Sequence, residues 1–125
     1  MARPIMYTGY YAKTKKYEEA GLKPVAVSGK VPPFFKGDRI KEFAPRFETF
    51  SRWKNKEITN EEYETEYRDY LNTLNKDSIC KYLGNNIILL CYEKSGDFCH
   101  RHTLAKWLMD NFCVEVTEWR EADGK

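Results

Sequence analysis

The stretch CYEKSGDFCHRH, residues 91–102, gathers two cysteines, two histidines, an arginine, a glutamate and a lysine into twelve positions. Those residue types are the parts of a nucleophilic site: a thiolate to attack, an imidazole to move the proton, a guanidinium to hold an anion. On that reading Cys91 or Cys99 is the nucleophile, His100 or His102 the acid/base, Arg101 the anion clamp, and Glu93 a further catalytic group. Cys91 and Arg101 stand ten positions apart, whereas the Cys and Arg of phosphatase and rhodanese loops stand six apart, so that cradle is excluded. A zinc site would use the same cysteines with a histidine, but the stretch has neither a Cys-x-x-Cys nor a His-x₃-His pair, and no metal is expected. The plainest alternative is packing, and it is the expected role of Cys80 and Cys113 beside apolar runs.

The elements that would position these groups can be read from the pattern of apolar residues. IMYTGY (5–10), PVAVS (24–28) and NIILLCY (86–92) are strand-like runs without alternation, the habit of strands covered on both faces. CVEVTEW (113–119) alternates and suits an edge strand. Helical patterns fill the intervals: 12–21 ending on Gly21, 44–57 with Pro45 near its start, 59–74 with a Thr59/Glu62 capping box, 77–84, and 96–112 capped by Asp97. The tyrosines 63, 67 and 70 recur at helical spacing and are expected to face a core. The order β-α-β-α-α-α-β-α-β predicts one Rossmann-like α/β domain over 1–125, with a mainly parallel four-stranded sheet, helices flanking it, and a disordered last few residues.

In such sheets ligands bind at the carboxyl ends of the strands. With a strand order of 2-1-3-4, that edge receives Thr8, Gly9 and Tyr10, then Ser28, Gly29 and Lys30, then Cys91, Glu93 and Lys94, with the start of the last helix above them. Thr8, Gly9, Ser28, Lys30 and Arg101 are thus the expected ligand-binding residues. A helical wheel begun at residue 96 turns Arg101 inward and Cys99 toward the polar side, away from His100. An inward guanidinium needs a carboxylate or a bound anion, and within the chain Glu93 or a set of backbone carbonyls at the strand ends would serve as its partner.

Composition narrows the setting. A chain of 125 residues with 42% apolar and 15% aromatic residues is globular. No run is apolar enough for a signal peptide or a membrane span, so a cytosolic protein with free thiols rather than disulfides is expected. Residues 1–56 carry 13 Lys/Arg against 5 Asp/Glu, a net +8, while residues 57–125 carry a net −6. The expected partner is an anionic small molecule or nucleotide. A rival reading is a nucleic-acid-binding module using Lys13, Lys15, Lys16 and the aromatics Tyr10, Tyr11, Phe34 and Phe35. No motif points to a cofactor.

LLCYEKSGDFCHRHTLAKWL resembles the defining stretch of the bacterial family catalogued as domain of unknown function 488, with its Leu-Cys-x-Glu-Lys run and a Cys-His-Arg block on the next helix. MYTGYY is similar to that family's opening strand end, and APRFETFSRWKNKEITNEEYETEY to the middle of its short members, so the resemblance covers nearly the whole chain. Many members end the second strand in Asp-Val-Arg, where this chain has Ala26-Val27-Ser28-Gly29-Lys30; the roles of that Asp and Arg do not carry over. Position by position, the resemblance carries Thr8, Gly9, Cys91, Glu93, Cys99, His100 and Arg101, and it implies a small α/β domain.

Overall fold

The computed structural model describes residues 3–92 and 99–120, so Glu93, Lys94 and the Asp97 cap lie outside the described residues. Five strands, β1 (Ile5–Tyr10), β2 (Lys23–Ala26), β3 (Asp38–Arg39), β4 (Ile87–Cys91) and β5 (Glu115–Glu118), form one sheet in the order β3-β2-β4-β1-β5. Every pairing is parallel. The helices are α1 (Thr14–Glu19), α2 (Phe47–Lys54), α3 (Asn60–Leu71), α4 (Lys76–Cys80) and α5 (His100–Asn111).

The expected order 2-1-3-4 is corrected in one respect. The third expected strand, now β4, does not lie outside the first but inserts between the first and the second, pairing Leu89 with Val25 on one side and with Thr8 on the other. The reason is burial: IILLC is the most continuous apolar run in the chain, and only the central position covers both its edges and both its faces. The alternating run at 113–119 does take an edge, as β5. The added strand β3 is two exposed residues long, too short and too polar to register as a period.

Alternation along the strands divides the interior in two. On one face Met6, Val25, Leu89 and Cys91 pack under α3 and α5 with Tyr63, Tyr67, Leu71, Leu104 and Leu108. On the other, Ile88 and Leu90 pack with Tyr11, Tyr17, Leu22 and Trp119. The tyrosine stripe of α3 is therefore core, and its hydroxyls reach carbonyls at the rim: Tyr67 donates to Phe43 O and Tyr70 to Glu42 O. The capping box closes α3 as read from sequence, Glu62 N donating to Thr59 Oγ1 at 3.0 Å and Thr59 N to Glu62 Oε1 at 2.9 Å.

Candidate functional site

The same period of two decides which strand residues meet under α5. Thr8 on β1, Cys91 on β4 and Glu118 on β5 all project from the carboxyl ends of their strands toward the α5 side, while Gly9 projects to the other. α5 starts at His100, later than the sequence pattern suggests, and Cys99 is its N-cap residue in extended conformation (φ −155°, ψ 143°). This overturns the wheel placement of Cys99. A wheel applies only inside a helix, and an extended residue at its start turns its side chain independently of that periodicity. Cys99 is buried, and its sulfur is joined to that of Cys91 as a disulfide. The expectation of four free thiols is corrected accordingly; the free cysteines are Cys80 and Cys113, and both are exposed rather than packed.

His100 follows directly and is buried beside them. Its Nε2 lies 2.9 Å from the carbonyl oxygen of Val27, at the end of β2. A carbonyl only accepts, so Nε2 carries the proton and Nδ1 keeps its lone pair. Nδ1 stands 3.9 Å from the Cys99 sulfur. Burial pushes the His100 pKa down to about 4, the Val27 hydrogen bond opposing this and the Arg101 charge adding to it, so the ring is neutral at pH 7. The Tyr67 ring packs against it in a T-shaped arrangement, 5.3 Å between centroids. The ligand atoms of Cys91, Cys99 and His100 all lie within 4.8 Å of one another, which the absence of short sequence motifs concealed.

Arg101 is fully buried. Its Nε and Nη2 donate to the two carboxylate oxygens of Glu118 at 3.1 and 2.9 Å, and Nη1 donates to the Cys91 sulfur at 3.5 Å. Thr8 Oγ1 donates to the same carboxylate at 2.6 Å. Glu118 forms a structural ion pair with Arg101, one of the two roles the sequence leaves open for that side chain; Glu93 lies outside the described residues. Nothing in the sequence ties Glu118 to Arg101, since seventeen residues and a change of element separate them.

A cavity of about 450 Å³ opens over this cluster. Cys99, His100, Ser28 and Gly29 line it from the sheet side, and Phe47, Phe50, Trp53 and Lys54 of α2 line it from above, with Lys30 and Tyr92 also in the wall. The sequence pattern placed Phe47, Phe50 and Trp53 on neighbouring turns of one helix; Phe47 is 78% exposed and stands at the mouth. Ser28 is held by the protein itself: its hydroxyl is 2.6 Å from Tyr11 Oη and donates to the carbonyl of Lys30. Lys30 is exposed, leaving its ammonium available to a ligand.

The other sequence candidates are placed elsewhere. Thr8 lies beneath the cluster on Glu118. Gly9 is needed for packing: a Cβ there would stand 2.5 Å from Tyr17 Oη and 2.9 Å from Ile88 Cδ1. Gly9→Ala should therefore cost about 1–3 kcal/mol in urea unfolding, the range for overfilled cores. Adding Tyr17→Phe should recover part of that loss, and a Gly9→Ala protein as stable as the parent would contradict the close approach. Tyr11 and Phe35 of the nucleic-acid reading are buried edge-to-face at 5.3 Å, which removes both from any stacking surface; Phe34 is exposed.

Comparison with known proteins gives one family. A family model described as the active DUF488-N3 subclade matches residues 22–112, a span that includes β2 to β4, the Cys91, Cys99 and His100 cluster and the α2 wall of the cavity. Neither the curated proteins nor the solved structures give a match. Among the described residues no helix is long and apolar enough to cross a membrane.

Proposed function

The chain belongs to the DUF488 family, and from that premise and the geometry of its strand-end cavity we propose that it is a thiol-dependent enzyme acting on a small anionic molecule. The observation that carries the reading is the pairing of Cys91 with Cys99 at the base of the cavity, beside the unprotonated Nδ1 of His100. Cys99 lines the cavity and Cys91 is fully buried behind it. This division assigns attack to Cys99 and resolution to Cys91.

In the reaction this arrangement supports, the reduced Cys99 loses its proton to solvent, the buried His100 ring with a pKa of about 4 being too weak a base to hold it, and the Cys99 thiolate attacks an electrophilic sulfur of the ligand. A mixed disulfide forms and one ligand thiolate leaves. The Cys91 thiolate then attacks Cys99, the second ligand thiolate leaves, and the Cys91–Cys99 disulfide closes. Arg101 stabilises negative charge on Cys91 through its N–H donor at 3.5 Å. Glu118 keeps that guanidinium in place, as a positioning residue. Lys30 and Lys54 supply positive charge at the cavity, and the rings of Phe50, Trp53 and Tyr92 supply flat apolar contact, which suits phosphate- or carboxylate-bearing ligands with an unsaturated ring.

An aromatic, doubly anionic disulfide, 5,5′-dithiobis(2-nitrobenzoate), is a direct probe. With Cys80 and Cys113 replaced by serine, the reduced protein should release two equivalents of thionitrobenzoate and end as the internal disulfide. Cys91→Ser should release one equivalent and retain the other on Cys99 by mass. Lys30→Glu combined with Lys54→Glu should slow the first step by about tenfold, on the scale of electrostatic steering. Stable double labelling of Cys91 and Cys99, with no internal disulfide formed, would refute the proposed roles.

A further inference from the structure

We infer that Cys91 and Cys99 in their reduced form, together with Nδ1 of His100, bind a thiophilic divalent cation, zinc by its ligand chemistry, and that oxidation to the disulfide expels it. The three ligand atoms converge to within 4.8 Å and all three residues are buried. Zinc holds sulfur at about 2.3 Å and imidazole nitrogen at about 2.0 Å, so neighbouring ligand atoms of a tetrahedral site stand roughly 3.5 Å apart. Cys99 Sγ and His100 Nδ1 are already 3.9 Å apart. The Cα atoms of Cys91 and Cys99 are separated by 7.7 Å. Reduction of the disulfide between them frees the two sulfurs to separate to the distance that two ligands of one ion require.

The surroundings meet the further demands of such a site. A metal-binding histidine ordinarily donates its other ring N–H to a carbonyl or carboxylate, which fixes its orientation; Nε2 of His100 does so to Val27 O at 2.9 Å. Two thiolates balance the charge of the ion, and Glu118 balances Arg101, so the buried cluster carries no uncompensated charge. Cys99 and His100 both line the cavity, so the fourth coordination position opens onto it. Two cysteines and one histidine with one open position is the ligand pattern of catalytic rather than structural zinc.

The inference shares with the proposed function only the reducibility of the cysteine pair. Oxidation by hydrogen peroxide removes two electrons from the two thiolates, forms the Cys91–Cys99 bond and releases Zn²⁺. The peroxide takes two protons from solvent and becomes two waters.

The test uses the reduced, chelator-stripped full chain titrated with Co²⁺ and then Zn²⁺ under anaerobic conditions. One equivalent of cobalt should bind with sulfur-to-cobalt charge-transfer bands in the near ultraviolet and the intense visible bands of tetrahedral Co²⁺. Zinc should displace it, hydrogen peroxide should release the zinc stoichiometrically, and dithiothreitol should restore binding; this cycle requires no variant. Cys91→Ser and Cys99→Ser should each abolish the charge-transfer pattern. His100→Ala should weaken binding by at least about tenfold, since loss of even an outer-shell partner has that effect. Serine at Cys80 and Cys113 should change nothing. A reduced protein that takes up no cobalt, or whose cobalt spectrum survives in the Cys91→Ser, Cys99→Ser double variant, overturns the inference. If the pair still cycles with the nitrobenzoate probe in that sample, the proposed function stands and this inference alone falls. If metal binds and peroxide forms no disulfide, the expulsion step and the redox role of the pair are both refuted.

Discussion

Glu118→Ala should lower the unfolding free energy by about 3 kcal/mol, the low end of the 3–5 kcal/mol range for breaking a buried ion pair from one side. Arg101 is fully buried, and this carboxylate accepts two of its N–H bonds. Truncation takes this acceptor away from both N–H groups while the charge stays in the interior, and it also removes the acceptor of Thr8 Oγ1. The low end applies because the Glu118 side chain is 20% accessible, so water enters the vacated space and screens part of the charge. Glu118→Gln, which keeps an acceptor, should lose less than Glu118→Ala. The double variant Arg101→Met, Glu118→Ala should be more stable than Glu118→Ala alone, because no buried charge is left behind. Urea unfolding with an unchanged m-value measures all of these. A loss below about 1 kcal/mol for Glu118→Ala would match an exposed pair instead and would remove the ion pair from its place in the site.

The second large effect concerns pH. In the oxidised, metal-free protein His100 has its pKa lowered from 6.5 to about 4 by burial. The unfolded chain therefore binds this proton at a higher pH than the folded one, and stability rises with pH wherever the two differ. The contribution is complete above about pH 6.5, declines as pH falls toward 4, and is fully lost below it. A shift of about 2.5 units corresponds to about 3 kcal/mol at 1.36 kcal/mol per unit. Among the described residues, the groups acting on the ring are the Val27 carbonyl, the Cys99 sulfur, Tyr67, the Arg101 guanidinium and His102. His102, also lowered by burial, adds a change of the same sign, so His102→Asn serves as the background. Glu42 is lowered by hydrogen bonds from its own backbone and from Tyr82, and its contribution is lost only as pH falls below the carboxylate range. His100→Gln should flatten the pH 4–6.5 limb of the stability profile. An unchanged slope in that variant would place the titrating group elsewhere.

Much of the fold is legible in the sequence because the signals are local. Continuous apolar runs mark the covered strands, the alternating run marks edge strand β5, and Thr59 with Glu62 marks the start of α3. The strand order is not local. Whether β4 lies inside or outside β1 depends on which run most needs cover on both edges, a comparison among strands rather than a property of one. The site divides in the same way. Sequence assigns Cys91, Cys99, His100 and Arg101 to one neighbourhood because a strand end and a helix start must meet there. It misplaces Cys99 because the helix begins one residue after it, and it misses Glu118 because β5 reaches Arg101 only through the fold. Lys54 and the aromatic wall of α2 escape for a related reason: a stripe of rings on a helix reads as core, and only the packed structure shows that Phe47 stands at a cavity mouth.

The central claim is that Cys99 is the reactive sulfur of this protein, and the most direct measurement is competitive alkylation of the reduced, metal-free chain. Iodoacetamide is added below stoichiometry at neutral pH, with and without adenosine monophosphate and with inorganic phosphate, and each cysteine is read by peptide mass spectrometry. Cys80 and Cys113 are exposed and serve as internal references. Cys99 should be labelled ahead of both despite its burial, and the nucleotide should slow it without affecting the references. Labelling of Cys80 and Cys113 first, with Cys99 silent until denaturant is added, would contradict the account and leave the cysteine pair as part of the scaffold.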